Sequence, residues 1–401
     1  MSLSIIRPLT LADFEQSMSL SSFAFQFPLT AEQLEERRAT FLNENDYRLG
    51  VFSDHSLCAQ ATLLDLSIYI NQQPFKMGGI AGVSTWPEHR RHGYVAHILK
   101  ELLMHMKQHG HTISMLHPFS YGFYRKFGWE SYIEYKRYEL GAEHIELLLK
   151  QHKHTEKTGT VRRLDSLQPL FEVYEQYAVR FNGMLARTEQ WWENRIRSRK
   201  KGVVAGYYDK QQQLQGYMIY EVLNREMTIH EWISLTKEAE QQLLLYIAQH
   251  DSMVDRVTWI APSDDSFAFF LNKPRFKQEV IPYFMARIVD VESFIQQYRF
   301  NASHQDENFT ITISDEHAPW NDGIFQLRIA SSGEATLTKK EQVDPNGSQI
   351  SLSIGTLTAW LLNYQKVEVF QRFDHITGSA DAMKRLQLRI AEHTTYLTDF
   401  F

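Results

Sequence analysis

Residues 84–106 run STWPEHRRHGYVAHILKELLMHM. Ser84 and Thr85 close an apolar run over residues 75–85 that reads as a strand. Val95, Leu99, Leu102 and Met106 recur at spacings of four, three and four, the period of an amphipathic helix, and Gly110 stands where such a helix stops. The turn between strand and helix holds Arg90, Arg91, His92 and Gly93. Backbone N–H groups entering a helix converge, the helix dipole adds partial positive charge, and a glycine lets an anion approach without meeting a Cβ. Arg90 and Arg91 add charged donors suited to a diphosphate. On its own, the string fits a phosphate cradle and a solvated surface turn equally well.

The flanks separate the two readings. Upstream, residues 5–7 read as a short strand, Thr10 and Thr30 as helix caps, and residues 47–52 and 59–70 as strands, the latter ending in a turn at residues 71–74. Downstream, residues 112–116 read as a short buried strand, followed by HPFSYGFYRKFGW over residues 117–129. The order is strand, basic loop, helix, strand, aromatic turn.

That pattern resembles the GCN5-related N-acetyltransferases (GNAT), whose acetyl-coenzyme A loop runs Gln/Arg-x-x-Gly-x-Gly/Ala. Arg90-Arg-His-Gly93-Tyr-Val95 matches the first four positions. Val95 stands where the family has a small residue, and Ala96 follows it. In that family the strand before the loop splays and offers main-chain groups to the pantetheine, a position held here by Val83, Ser84 and Thr85. The resemblance implies that acetyl-CoA, the acetyl donor, is held by these three and by Arg90, Arg91, His92, Gly93, Tyr94, Val95 and Ala96, with Phe119 and Ser120. No metal is implied. The run YRKFGW, residues 124–129, resembles the tail motif of the same family. Amine attack on a thioester expels a thiolate, which leaves better when an acid protonates it, and Tyr124 carries a hydroxyl suited to that role. The plainer alternative seats Tyr124 in an aromatic cluster with Phe119, Tyr121, Phe123 and Phe127.

The charged, aperiodic segment at residues 151–160 is the first domain boundary, and a second α/β region follows. Within it, residues 167–180 read as a helix and residues 203–208 and 214–223 as strands, an order that echoes the first region. From residue 289, strands at 310–313 and 325–329, a hairpin-type turn at Asn321-Asp-Gly323, and helices at 354–364 and 380–388 form a third. Length, layout and the aromatic chain end resemble the Eis (enhanced intracellular survival) group. The fold expected is α+β: two GNAT-like mixed α/β domains in tandem, 1–155 catalytic and 156–288 degenerate, then a sterol-carrier-protein-like α+β domain at 289–401. In that group the terminal carboxylate is the general base. Carried over, it belongs to Phe401, with Tyr124 as general acid. The resemblance also places Phe23, Phe25 and Asp399 at the acceptor cleft.

Composition sets the remaining limits. The 401 residues are 43% hydrophobic and 13% aromatic with a formal charge of −6, enough for large cores and without the basic footprint of a nucleic-acid binder. The single cysteine, Cys58, excludes an internal disulfide and suggests direct transfer rather than a cysteine relay. Trp191 and Trp192 read as core, and the helical pair His105 and His109 as a solvated face. No apolar stretch approaches the roughly 20 residues of a membrane span, and the N-terminus lacks a signal-peptide pattern, so a cytoplasmic protein without membrane contact is expected. The activity that the resemblance implies is N-acetylation of primary amines on small molecules of aminoglycoside or polyamine type, in a ternary complex and by a homo-oligomer. The alternatives are acetylation of peptide or protein amines, and an apolar-ligand binding protein whose acyltransferase site has decayed.

Overall fold

A computed structural model describes residues 4–42, 46–152, 159–342 and 348–401. The meander ahead of the basic turn is β1 (Ile5–Pro8), β2 (Asp46–Ser53), β3 (Ser56–Ile70) and β4 (Gln73–Thr85), each antiparallel to the next. Ile70 pairs with Gln73, so the turn is the two residues Asn71 and Gln72, at φ 48° and 65°. Both lie in the left-handed region that a tight type I′ hairpin requires. Helices α1 (Phe14–Phe25) and α2 (Ala31–Ala39) lie between β1 and β2, and α2 is capped by Thr30 as its sequence suggests. Helix α3 (Tyr94–Gln108) turns Ile98, Leu99, Leu102, Leu103 and Met106 into the core. Gly110, at φ 75°, ends that turn of chain. Strand β5 (Ile113–Leu116) then pairs parallel with β4. The short helix α4 (Tyr121–Arg125) follows, with Ser120 Oγ accepting the Phe123 N–H.

The next strand, β6 (Glu130–Gly141), does not return to β5. The second region repeats the meander as β7 (Gly159–Leu164), β8 (Val203–Asp209), β9 (Leu214–Leu223) and β10 (Glu226–Ser234), and β10 pairs parallel with β11 (Arg256–Pro262). Strand β6 pairs with β11, and the last strand of the second region, β12 (Lys277–Ile288), pairs with β5. Strands β6 and β12 also pair with each other. One sheet of twelve strands results, in the order β1-β2-β3-β4-β5-β12-β6-β11-β10-β9-β8-β7. It is symmetric in plan about the β12–β6 pair, and each half is completed by a strand from the other. The limits 1–155 and 156–288 divide the chain along its length, whereas in space the halves interlock. Of the proposed linker, residues 153–158 lie outside the described residues.

The third region is a five-stranded sheet in the order β15-β14-β13-β16-β17, where β13 is Glu307–Ser314, β14 Gly323–Ile329, β15 Ala335–Lys340, β16 Gln349–Ser353 and β17 Ile376–Gly378. Asn321 is not a surface turn residue. The β13–β14 connection is longer than a tight hairpin, and Asn321 is fully buried within it, accepting the Val291 N–H at 3.0 Å and donating to Val289 O at 3.0 Å. Arg287 of β12, also fully buried, pairs with Asp315 and donates to Phe127 O. This side chain therefore joins the tail of the first region, the exchanged strand and the third region. The last residues run back over the second region, where Asn182 N–H donates to Thr394 O and Tyr396 N–H to Asn182 O. One continuous core holds Met77 and Met115 of the first half, Phe284 of β12, Ile311 and Trp360 of the third region, and Phe401. Among the described residues no helix is long and apolar enough to cross a membrane.

Candidate active site

Strands β4 and β5 are hydrogen-bonded only from Met77↔Ile113 to Ile80↔Leu116. Beyond that, β4 continues to Thr85 while the chain after β5 turns away. The parting is assisted by a bulge: Gly82 and Val83 together face the single β3 residue between Gln60 and Thr62, with Gly82 at φ 61°. One flank of β4 is thus left without a strand over Ala81–Thr85. The Thr85 Oγ1 atom is buried there without a partner among the described residues.

The basic turn lies at the top of this opening. Arg91 and Gly93 are both left-handed, at φ 66° and 80°. The first helical bond of α3 runs from His97 N–H to Gly93 O, and the N–H groups of residues 92–96 have no acceptor among the described residues. A Cβ at Gly93 would meet nothing within 4 Å, so the face of the turn is open. Arg90 and Arg91 are exposed and form no ion pair among the described residues. Free amides, a helix N-terminus and two uncommitted guanidinium groups together suit a diphosphate. Val95 is half-buried and packs with Tyr94 and Ala96 on the core under α3, away from a role that would demand a smaller side chain.

Tyr124 is 1% exposed, packed against the rings of Phe119 at 5.1 Å, Phe123 at 5.2 Å and Trp129 at 6.4 Å. The aromatic-cluster reading and the acid reading are therefore compatible. Burial pushes the phenol well above its ordinary value, and the hydroxyl has no hydrogen-bond partner among the described residues. It is a proton donor with nothing to donate to. Phe119 is exposed, and Ser120 is committed to capping α4.

Phe401 lies at the base of the opening. Its ring is 6% exposed, 4.8 Å from Phe284 and 6.4 Å from Trp191, and it packs on Gly79, which pairs with Met115 at the last turns of the β4–β5 ladder. His117, directly after β5, packs tilted against Phe400 at 5.0 Å and edge-on against Tyr283 at 5.5 Å, and burial pushes its imidazole down. Sequence reading passed over His117; its place immediately after a buried strand end was the available signal.

Asp399 does not lend free negative charge to the cleft. It is 2% exposed, accepts the Trp191 Nε1–H at 2.9 Å and lies 3.0 Å from Arg187. Arg187 also grips Glu231 of β10, at 3.0 and 2.5 Å, and donates to Thr398 Oγ1 at 3.2 Å. Burial opposes ionisation of Glu231, but Arg187 and Lys200 outweigh it and hold the carboxyl well below its usual range. This buried cluster, unforeseen in the sequence, fastens the chain end to the second half. Phe23 is exposed with its ring 5.0 Å from Trp86, at the rim beside β4, whereas Phe25, also exposed, makes no ring contact with the site among the described residues. Cys58 is fully buried on β3, and burial raises its thiol above the ordinary value. His105 and His109 stack at 3.9 Å, and no group of three or more metal-ligating side chains occurs among the described residues.

Residues 5–132 match the family model of an acetyltransferase (GNAT) domain, residues 183–288 a second model of the same description, and residues 291–398 that of a sterol carrier protein domain. The chain belongs to the GNAT acetyltransferases. Among solved structures, a conserved protein of unknown function from Enterococcus faecalis V583, described as a probable N-acyltransferase, is 27% identical with a TM-score of 0.91, both chains covered fully. A GCN5-related N-acetyltransferase from Anabaena variabilis (20% identity, TM-score 0.85) and Eis1 from Mycobacterium abscessus (19%, 0.79) also align over all of both chains, and show that the three-region architecture is shared. A search of curated proteins finds no match.

As a GNAT N-acetyltransferase of Eis-like build, the protein takes acetyl-CoA as co-substrate. The first half fits that molecule, with the orphaned Thr85 Oγ1 along the opened strand and the free amides of residues 92–96 at its head. The tail motif and the loop, legible in the sequence, meet in one core cluster, where Tyr124 and residues 94–96 pack together. The second GNAT unit has no comparable basic turn.

Proposed function

We propose that the protein transfers the acetyl group of acetyl-CoA directly to a primary amine of a small molecule bound in the opening between β4 and β5. Two observations support the reading: an unpartnered anion cradle at the start of α3, and a Tyr124 hydroxyl without a partner among the described residues, in the same core cluster as residues 94–96. When bound, acetyl-CoA supplies an acyl group already activated as a thioester. The amides of residues 92–96, with Arg90 and Arg91, bind and orient its pyrophosphate, and Val83, Ser84 and Thr85 line its path. Tyr124 Oη gives its proton to the sulfur as the carbon–sulfur bond breaks and the carbon–nitrogen bond forms. The α-carboxylate of Phe401 accepts the proton that the amine releases, directly or through water. The buried Cys58 takes no part.

The walls bear on which amine enters. Arg195 lies 5.5 Å from the Trp191 ring, and Arg199 lies 5.1 Å from the Phe400 ring and donates to Phe400 O at 2.9 Å. One guanidinium over the Phe400 ring and another over the Trp191 ring, with Asp399 neutralised by Arg187, favour an acceptor bearing a neutral or anionic group over a polycation. The test is coenzyme A release, read by a thiol reagent, across an amine panel: amino acids, amino sugars, a polyamine, an aminoglycoside and a lysine peptide. Release with small amines that rises with acceptor concentration supports the reading. No release with any amine, or a stoichiometric burst without an acceptor, overturns it.

A further inference from the structure

The second half keeps the plan of the first but changes its chemistry. Strands β10 and β11 pair in parallel only over Glu226–Thr228 and Arg256–Thr258 and then part, as β4 and β5 do beyond Ile80. Strand β10 shifts register between Ile229 and Glu231, as β4 does at its bulge. After β11 the run Ser266-Phe-Ala-Phe-Phe270 lines up with Ser120-Tyr-Gly-Phe-Tyr124, so Phe270 stands without a hydroxyl where Tyr124 has one. The helix Lys237–Ala248, the counterpart of α3, starts differently too. Thr236 Oγ1 accepts the Ala239 N–H at 3.1 Å, and Glu238 and Glu240 occupy the first turn. A capped, acidic helix start repels the pyrophosphate that the first half attracts.

The opening itself has not closed. It holds a cavity of ≈ 180 Å³ walled by Tyr177, Trp232, Trp259 and Phe267, with Glu240 and Asp265 among its polar lining and no lysine, arginine or histidine in it. That is smaller than the roughly 300–1,000 Å³ of pockets for drug-sized molecules. The rings meet at steep angles: Trp232 and Trp259 at 5.9 Å and 53°, Trp259 and Phe267 at 5.1 Å and 85°. Arg180, over the Tyr177 ring at 5.8 Å, is bonded to Leu235 O and stays outside the lining. One oxygen of Asp265 accepts from Tyr138 Oη and the Phe267 N–H, both at 2.9 Å, while the other has no partner among the described residues. Glu240 has none at all there, and burial, with the charge of Asp265 added, pushes its carboxyl up. Lys136 Nζ, outside the lining, donates to the Asp265 backbone O at 2.6 Å but forms no ion pair with either carboxylate among the described residues. The cavity therefore presents aromatic faces and two carboxylates that repel each other, a combination relieved by a positive guest.

We infer that the opening between β10 and β11 is a binding site for a small organic ammonium ion, separate from the transfer site. Aromatic faces attract a weakly hydrated cation through their quadrupoles, and the carboxylates supply the counter-charge. The inference rests on the second half alone and does not depend on the transfer reaction.

The experiment titrates the full-length protein with choline chloride at fixed ionic strength, following tryptophan fluorescence and calorimetry, with the uncharged isostere 3,3-dimethylbutan-1-ol as comparison. Glu240→Gln leaves the exposed helix start intact, and Trp232→Leu removes one wall; thermal melting verifies that both fold. Saturable choline binding is expected, with the isostere about tenfold weaker or more, and each substitution weakening choline by about three- to tenfold. Coenzyme A binding, measured in parallel, stays unchanged in Glu240→Gln. Absence of saturation, equal binding of the isostere, or unaltered choline affinity in both folded variants overturns the inference and leaves the transfer reading untouched.

Discussion

The guanidinium of Arg187 lies 3.0 Å from the carboxylate of Asp399, two residues before the chain's last side chain, and neither group is reached by solvent. Sequence distance makes them strangers; in the fold they fasten the end of the chain to β10 through Glu231. Breaking such a cluster from one side leaves uncompensated buried charge. Arg187→Met is expected to cost about 3–5 kcal/mol in unfolding free energy, read by urea denaturation. It should also lower turnover of whatever protein remains folded, because Phe401 loses its anchor.

Tyr124→Phe keeps the ring and its packing while deleting the proton. Turnover is expected to fall by about 10²–10⁴, with coenzyme A affinity and melting temperature nearly unchanged. Because burial raises the phenol, the hydroxyl stays protonated through the alkaline range where an ordinary tyrosine begins to ionise. The wild-type rate should accordingly show no alkaline loss below about pH 10 attributable to this group.

At the cradle, Gly93→Ala forces a side chain into φ 80° and should cost about 1–2 kcal/mol in strain. Arg90→Ala with Arg91→Ala leaves the backbone as it is. Calorimetry should show weaker coenzyme A binding for the double variant and a shallower dependence on salt, since fewer charges are involved.

Gly79→Ala addresses the chain end from the other side. The added Cβ would fall 2.9 Å from Phe401 Cε2 and 3.0 Å from Leu66 Cδ1, closer than atoms tolerate. The terminal ring must shift, and steady-state kinetics should show a lower kcat with coenzyme A affinity largely kept. An extension of a few residues after Phe401 should reproduce the kcat loss, and an unaltered rate in both would remove the terminal carboxylate from the mechanism.

His105, in α3, sits between Tyr47 at 3.8 Å and His109 at 3.9 Å, and burial, then the neighbouring histidines, pushes it down to about 4. The unfolded chain binds a proton there near pH 6.5, so the unfolded state takes up more protons between the two values. This contribution to stability is complete above about pH 6.5 and is lost as pH falls towards 4. Denaturation midpoints at pH 7 and pH 5 should differ less in His105→Gln than in the parent protein.

The first half was legible because its signals are contiguous. Gly93 and the helix behind it share one stretch, and Tyr124 sits inside YRKFGW. The exchanged strands were not. In β6 the sequence ESYIEYKRYELG interleaves charges with aromatics, and those charges are answered by β12, as Arg137 is by Glu279 at 2.6 Å and Glu139 by Lys277 at 3.2 Å. No local period reveals a partner so far along the chain. Asp399, placed at the acceptor cleft by the resemblance, was misjudged for the same reason: its neutralising Arg187 comes from another region. The cavity of the second half was hidden because its walls come from two helices and two strands, and its acids from a helix start and the loop after β11.

The exchange of β6 and β12 also orders events during synthesis. Strand β5 exposes an unpaired edge from the moment it forms until residue 277 and those after it have been made and released. At about 5–20 residues per second that interval is roughly ten to thirty seconds, long for a bare apolar edge. The half that carries the basic turn cannot close before the second half has supplied β12. A nascent chain halted before β12 is thus a candidate client for ribosome-associated chaperones, and the second half endures as the first half's last strand, whatever becomes of its own pocket.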